Sequence, residues 1–183
     1  MTTATRHGFR THAFLGLSLD GFIARPDGDL AWLEKRGEEA GDTGYDAFIA
    51  GIDTLVMGRD TYEKVLTFGF WPYEGRRVEV LSTSLHTDDP RITVHRDFAA
   101  LVAALTARGA RNVYADGGKV VQTFLRAGLL DRLTLTHAPV LIGRGIPLFG
   151  DLAHDVELTR IDTQPLGAGF VQSTYEIPSP PAA

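Results

Sequence analysis

Leu55-Val56-Met57-Gly58-Arg59-Asp60-Thr61-Tyr62-Glu63 is the stretch on which the fold turns. Residues 54–57 suit a short buried strand, Gly58 breaks it, and residues 60–66 carry a helical pattern. A strand that turns at a glycine directly into a helix is the working unit of an α/β sheet. The same unit recurs at Val113-Tyr114-Ala115-Asp116-Gly117-Gly118-Lys119-Val120. There residues 112–115 read as strand, two glycines interrupt them, and residues 120–127 read as helix ending at Gly128.

The rest of the chain repeats this alternation. Residues 13–19 read as a strand, and Pro26-Asp27-Gly28 turns the chain into a short helix from about Asp29. Residues 78–81 are a buried-strand candidate and 92–94 an edge candidate. Residues 98–107 form an alanine- and leucine-rich helix stopped by Gly109 in the C′ position. Residues 133–142 read as a long strand that bends at Pro139, and residues 156–163 and 169–177 flank a Pro-Leu-Gly-Ala turn as a hairpin. The expected architecture is one α/β domain. It has a mostly parallel central sheet, helices on both faces and a C-terminal antiparallel hairpin at one edge. The domain should span residues 13–177, between a flexible N-terminus (1–12) and a flexible tail (178–183) rich in proline.

Composition narrows the function classes. The 183 residues carry a net charge of -5, which gives no reason to expect nucleic acid as a partner. There are no cysteines, so disulfides, thiolate nucleophiles and cysteine-bound zinc are excluded. No apolar run approaches the ~20 residues of a membrane span, and residues 1–12 lack the pattern of a secretory signal. A cytoplasmic location is expected. No H-E-x-x-H, G-x-S-x-G or G-x-x-x-x-G-K-[ST] pattern occurs, which argues against zinc hydrolases, serine hydrolases and P-loop NTPases.

Ligands of such sheets sit at the carboxyl ends of the strands, where the chain enters a helix. At the first turn, Gly58 allows close backbone approach, and the helix start offers free amides to a phosphate. Arg59 and Thr61 add donors. The alternative is a plain junction with Asp60 as its cap and Arg59 solvated. At the second, Gly117, Gly118, Lys119 and Val120 form either a pyrophosphate cradle or a tight loop. Asp29 either caps a helix or faces a cleft as a proton-relaying or substrate-holding acid. Gly143 and Gly145 mark a further loop near the same end of the sheet.

In order and spacing, these motifs resemble the dihydrofolate reductase-like family from about residue 13 to 177. Val56-Met57-Gly58-Arg59-x-Thr61-Tyr62-Glu63, Gly75-Arg76-Arg77 and Val80-Leu81-Ser82-Thr83 are similar to its G-R-x-T-x-E helix start, G-R turn and L-S-[ST] strand end. Ser18-Leu19-Asp20-Gly21 and Pro139 to Phe149 look more like the riboflavin-pathway reductase branch, the RibD C-terminal domain. The resemblance implies an NADPH-dependent reductase acting on a small heterocyclic substrate. It implies that Gly58, Arg59 and Thr61 hold phosphates, with Arg59 on the 2′-phosphate. Leu81, Ser82 and Thr83 would border the adenine-ribose end, and Gly117, Gly118, Lys119 and Val120 the pyrophosphate. Leu15 and Gly16 would lie beside the nicotinamide, and Arg76 would take a substrate anion. Asp29 and Asp116 would be alternative proton-handling acids, and the chain would form a homodimer. A nucleotide-binding module of the same fold without catalysis is the other reading. The segment between Ala24 and Asp29 is four residues, shorter than the mobile loop of true dihydrofolate reductases.

Overall fold

The structure, a computed structural model, describes residues 7–178. The expectations for residues 1–6 and 179–183 lie outside these residues. Eight strands form one sheet in the order β5-β4-β3-β6-β1-β7-β10-β9. They are β1 (Arg10–Ser18), β3 (Thr54–Gly58), β4 (Arg77–Leu81), β5 (Ile92–His95), β6 (Asn112–Asp116), β7 (Arg132–Ala138), β9 (Thr159–Pro165) and β10 (Val171–Glu176). Neighbours from β5 across to β7 pair in parallel, and β10 runs antiparallel to both β7 and β9. The expected sheet is therefore present, with its hairpin at one edge and β5 at the other.

Alternation along the strands sends side chains to two cores. Val56, Val113 and Ala115 pack beneath α4 (Phe98–Ala107) and α5 (Gly118–Arg126). Leu55, Met57 and Tyr114 face α2 (Tyr45–Ala50) and α3 (Arg59–Leu66). The helix α1 (Ala31–Ala40) lies on the second face, where Leu33 occupies the space beside Gly16. β3 is buried on both faces over residues 54–57, which is why it reads as a continuous apolar run rather than an alternation.

Several boundaries differ from expectation. Residues 10–12 are not loose: they pair with residues 112–114 of β6, and Phe9 before them is buried. The long strand stops at Ala138, because Pro139 offers no amide to the ladder. Helix α1 starts at Ala31 rather than Asp29. The hairpin strand expected at 156–163 lies at 159–165. Helix α2 was not anticipated. It has no side-chain cap and is held by Phe48 and Ile49 against the sheet, a tertiary cause invisible in local sequence. A two-stranded ribbon of β2 (Phe22–Ala24) and β8 (Ile146–Pro147) was also missed. It lies beside the second helix start, where Ile23 and Pro147 crowd Gly118. The turn after β1 is tied to the loop after β7 by the Asp20 carboxylate, which accepts the amides of Ile142 (3.2 Å) and Gly143 (2.7 Å).

Candidate active site

β3 and β6 are neighbours in register, with Met57 opposite Asp116, so their two glycine turns end side by side. Helix α3 starts after Gly58 and α5 after Gly117, and neither has a side-chain cap. By contrast, Asp97 caps α4 by accepting the Ala100 amide at 2.8 Å. Two uncapped helix starts on adjacent strands leave free amides and two partial positive charges facing one region. A Cβ at Gly117 would collide with the Thr61 hydroxyl, and one at Gly58 would lie 3.9 Å from Val120 Cγ2. Gly58, Thr61, Gly117 and the buried Val120 therefore pack together where the two turns meet.

Asp60 joins the two turns. Its carboxylate accepts Lys119 Nζ at 2.8 Å, and Arg59 Nε and Nη2 at 3.3 and 3.1 Å. Those hydrogen bonds, Lys119's first, hold the acid below its ordinary range. An acid that would repel a phosphate is thus matched by two cations. Arg59 Nη1 also donates to Ser84 Oγ at 3.1 Å, in the loop that leaves β4. In that loop Ser82 Oγ accepts the amides of Ser84 (3.3 Å) and Leu85 (3.0 Å), and Leu81 ends the strand. Arg96, which the sequence reading missed, donates to the Ser82 carbonyl at 3.0 Å. Thr83 lies between Ser82 and Ser84 in this loop, so the first predicted group, the β4 end and a second guanidinium meet at one place.

Asp116, the last residue of β6, keeps some surface access, but its carboxyl is enclosed by protein. Burial pushes its pKa up to about 6, against the opposing pull that Tyr114, the Gly117 amide and Tyr73 exert when they donate to it. Three tyrosines surround it. Burial, and then the Asp116 charge, push Tyr45 up to about 12 and raise Tyr73 and Tyr114 as well. Phe48 stands edge-on to Tyr114 at 5.0 Å and stacks on Phe14 at 4.9 Å. Arg76 reaches this cluster through its effect on Tyr45, while its Nε donates to the Ile49 carbonyl at 3.0 Å. Asp29 has a different setting. It is half-exposed, lies 3.6 Å from Arg25 and accepts the Ala31 amide at 3.3 Å in a local turn just before α1, whose N-cap Leu30 has no side-chain cap. Leu15 packs toward the α4–α5 core, and Leu33 covers Gly16.

Two cavities, of about 480 and 490 Å³, open elsewhere, at the amino ends of the strands. The first is lined by His12, Asn112 and Arg132 among others, the second by Arg77, Arg91 and Arg108. Neither contains the converging helix starts, so the carboxyl edge remains the better candidate. Among the described residues no cluster of three or more His, Asp or Glu could hold a metal, and no helix is long and apolar enough to cross a membrane.

The family model of the RibD C-terminal domain matches residues 12–172. The chain belongs to the RibD C-terminal domain family. Within it, the chain is 35% identical over 163 residues to the uncharacterized protein YwjB of Bacillus subtilis, covering 86% of this chain and 92% of that one. A solved structure from Shewanella sp. PV-4, provisionally assigned to riboflavin biosynthesis, superposes with a TM-score of 0.85 at 33% identity, covering 93% and 99% of the two chains. The dihydrofolate reductase of Enterococcus faecalis, solved with NADP(H), superposes with a TM-score of 0.67 at 20% identity over 93% and 97%. That likeness establishes the dihydrofolate reductase-like fold of this RibD C-terminal domain.

Sequence reading of this RibD C-terminal domain missed Tyr45, Tyr73 and Arg96. Tyr45 lies in the unanticipated helix α2, and Tyr73 in the segment after α3. No spacing rule links either to Asp116. The Gly-Arg pair at 75–76, two residues past Tyr73, was the nearest available signal.

Proposed function

We propose that this protein is an NADPH-dependent reductase that delivers a hydride to a small heterocyclic acceptor. The observation that carries the reading is the pairing of two uncapped helix starts, α3 and α5, joined through Asp60. Such a pair suits a ligand with phosphates at separate points along its length. Gly58, Arg59 and Thr61 would hold one phosphate group, and Gly117, Gly118, Lys119 and Val120 the pyrophosphate. Leu81, Ser82 and Thr83 would border the adenine-ribose end. There Arg59 and Arg96 converge on the loop after β4, which favours a 2′-phosphate and so NADPH over NADH. Leu15 and Gly16 would back the nicotinamide. When bound, NADPH supplies the hydride.

The chain's own chemistry lies at Asp116. An acid with a pKa of about 6 can hold a proton near neutral pH and give it to a ring nitrogen or carbonyl oxygen. The tyrosine rings, with Phe48 and Phe14 packed behind Tyr114, enclose its carboxyl. Arg76 would take an anionic group on the substrate. Asp29, tied to Arg25 and the Ala31 amide, would hold or orient the substrate if it left those partners. We assign the protein to the cytoplasm and expect a homodimer.

Titrating NADPH and NADH while following Trp32 and Trp71 emission tests the reading. Micromolar NADPH binding with much weaker NADH binding is expected. Binding of neither sinks the proposal, and NADPH binding without oxidation by any pterin, pyrimidine or simple carbonyl reduces it to nucleotide binding alone.

A further inference from the structure

The hydroxyl of Tyr114 lies between two acceptors. It is 2.9 Å from the Phe14 carbonyl oxygen and 3.2 Å from Asp116 Oδ1. A phenol has one proton. The Phe14 carbonyl can only accept, it is the nearer of the two, and an unmet polar group in this interior is costly. Once the Tyr114 proton is committed there, the phenol oxygen turns lone pairs toward Asp116. A carboxylate at that position would face another oxygen with no hydrogen between them. A protonated carboxyl would complete the contact.

The surroundings point the same way. The groups within reach of Asp116 are the hydroxyls of Tyr114 and Tyr73 and the Gly117 amide, all uncharged; where they donate they favour the carboxylate, and burial outweighs them. Tyr45, from α2, senses the Asp116 charge, and the nearby Arg76 and Asp46 act on Tyr45. Lys119, only three residues along the chain, is drawn to Asp60 instead. An enclosed carboxylate with neutral neighbours loses hydration without gaining a counter-charge.

We infer that Tyr114 is a positioning residue: its own proton is held by the Phe14 carbonyl, so its oxygen accepts and retains the proton of a neutral Asp116. This deepens the reductase reading and rests on it for the use of that proton. In the proposed reduction the acceptor would gain a C–H bond from the hydride given up by a nicotinamide C–H bond of NADPH, which would be oxidised to NADP+, while the Asp116 O–H bond breaks and its proton goes to the acceptor heteroatom. Asp116 is left as carboxylate and takes a proton from solvent before the next turnover. At 3.2 Å the Asp116–Tyr114 contact is long for O–H···O, so the proton is kept without being trapped.

The test is infrared spectroscopy of the whole protein without nucleotide or substrate. The carbonyl stretch of the protonated Asp116 carboxyl is identified as the band missing from Asp116→Asn. In wild type the band should persist until the pH passes about 6. In Tyr114→Phe the midpoint should fall by about one unit, tenfold in acid constant, because the protonated form loses its acceptor. A midpoint that rises would mean Tyr114 donates to a carboxylate, and that result or an unchanged midpoint overturns the inference. If Tyr114→Phe does not fold, absence of the band from wild type just below pH 6 overturns it equally. Failure of NADPH to bind would strike the reductase reading and leave this measurement standing.

Discussion

Lys119 Nζ and Asp60 Oδ2 meet at 2.8 Å across the first turns of two different helices. They are 59 residues apart in the chain, and the parallel pairing of β3 with β6 makes them neighbours. Asp60 also holds Arg59, so one acid orients a cation from each of the two glycine turns. Lys119 is largely and Arg59 nearly half solvent-exposed, so this arrangement adds little to stability and more to the local field.

Replacing Asp60 with Asn should therefore leave the unfolding midpoint nearly unchanged but alter nucleotide affinity. Released from their acid, Arg59 and Lys119 should bind phosphate more tightly at low salt. The gain should shrink as salt rises. Affinity measured at two ionic strengths checks this, and a salt-independent change would contradict it.

Arg59→Ala should weaken NADPH by about 1.5–3 kcal/mol, the cost of a lost charge-assisted contact, and weaken NADH much less. Arg96→Ala should show the same preference. Equal losses for both nucleotides would move these residues away from the 2′-phosphate. Tryptophan quenching gives the affinities.

Gly117 has φ 88°, and its missing Cβ is the space taken by the Thr61 hydroxyl. Gly117→Ala should cost about 1–3 kcal/mol in urea unfolding, from backbone strain and the collision together. Adding Thr61→Ala should recover only the collision part. Full recovery would show that the backbone there is not strained.

Asp116 gives a pH dependence whose sign can be worked out. Its folded pKa, about 6, lies above the ordinary aspartate value of 3.8, so the folded state binds the proton more tightly. Its contribution to stability is therefore fully present below 3.8 and is lost as pH rises through about 6. Asp116→Asn should flatten the stability profile in that window and raise stability at neutral pH. Turnover by the wild type should fall above about pH 6 as the acid loses its proton. Thermal unfolding and initial rates across pH check the two halves.

Glu79 is buried between Arg108 Nη1 and His95 Nε2, each at 2.6 Å, near the sheet edge. Arg108→Ala should cost about 1.5–3 kcal/mol, since it leaves a buried carboxylate short of a charged donor. NADPH affinity should not change, because the pair stands apart from the helix starts. A change in affinity would couple this edge to the site.

Much of the fold was legible in the chain itself. The helix Phe98–Ala107 matched its predicted limits, since alanine and leucine repeat along it, Asp97 caps it and Gly109 follows it. The two strand–glycine–helix units were legible for the same reason: their signals sit within a few residues of one another. Local sequence thus determined most of the elements of the main sheet and its long helices, where the glycine turns fall, and which residues could meet a phosphate, but not α2 or the β2–β8 ribbon. It did not decide that Asp29 would be a half-exposed turn residue and Asp116 an enclosed acid. Both are aspartates beside turns, and what separates them is the burial supplied by Tyr114 on its own strand and by Tyr45, Tyr73 and Phe48 from other elements. A pKa depends on what surrounds the group in space, and neither helix α2 nor the segment holding Tyr73 shows in the sequence that it will close over β6. Only the tertiary structure could make that choice.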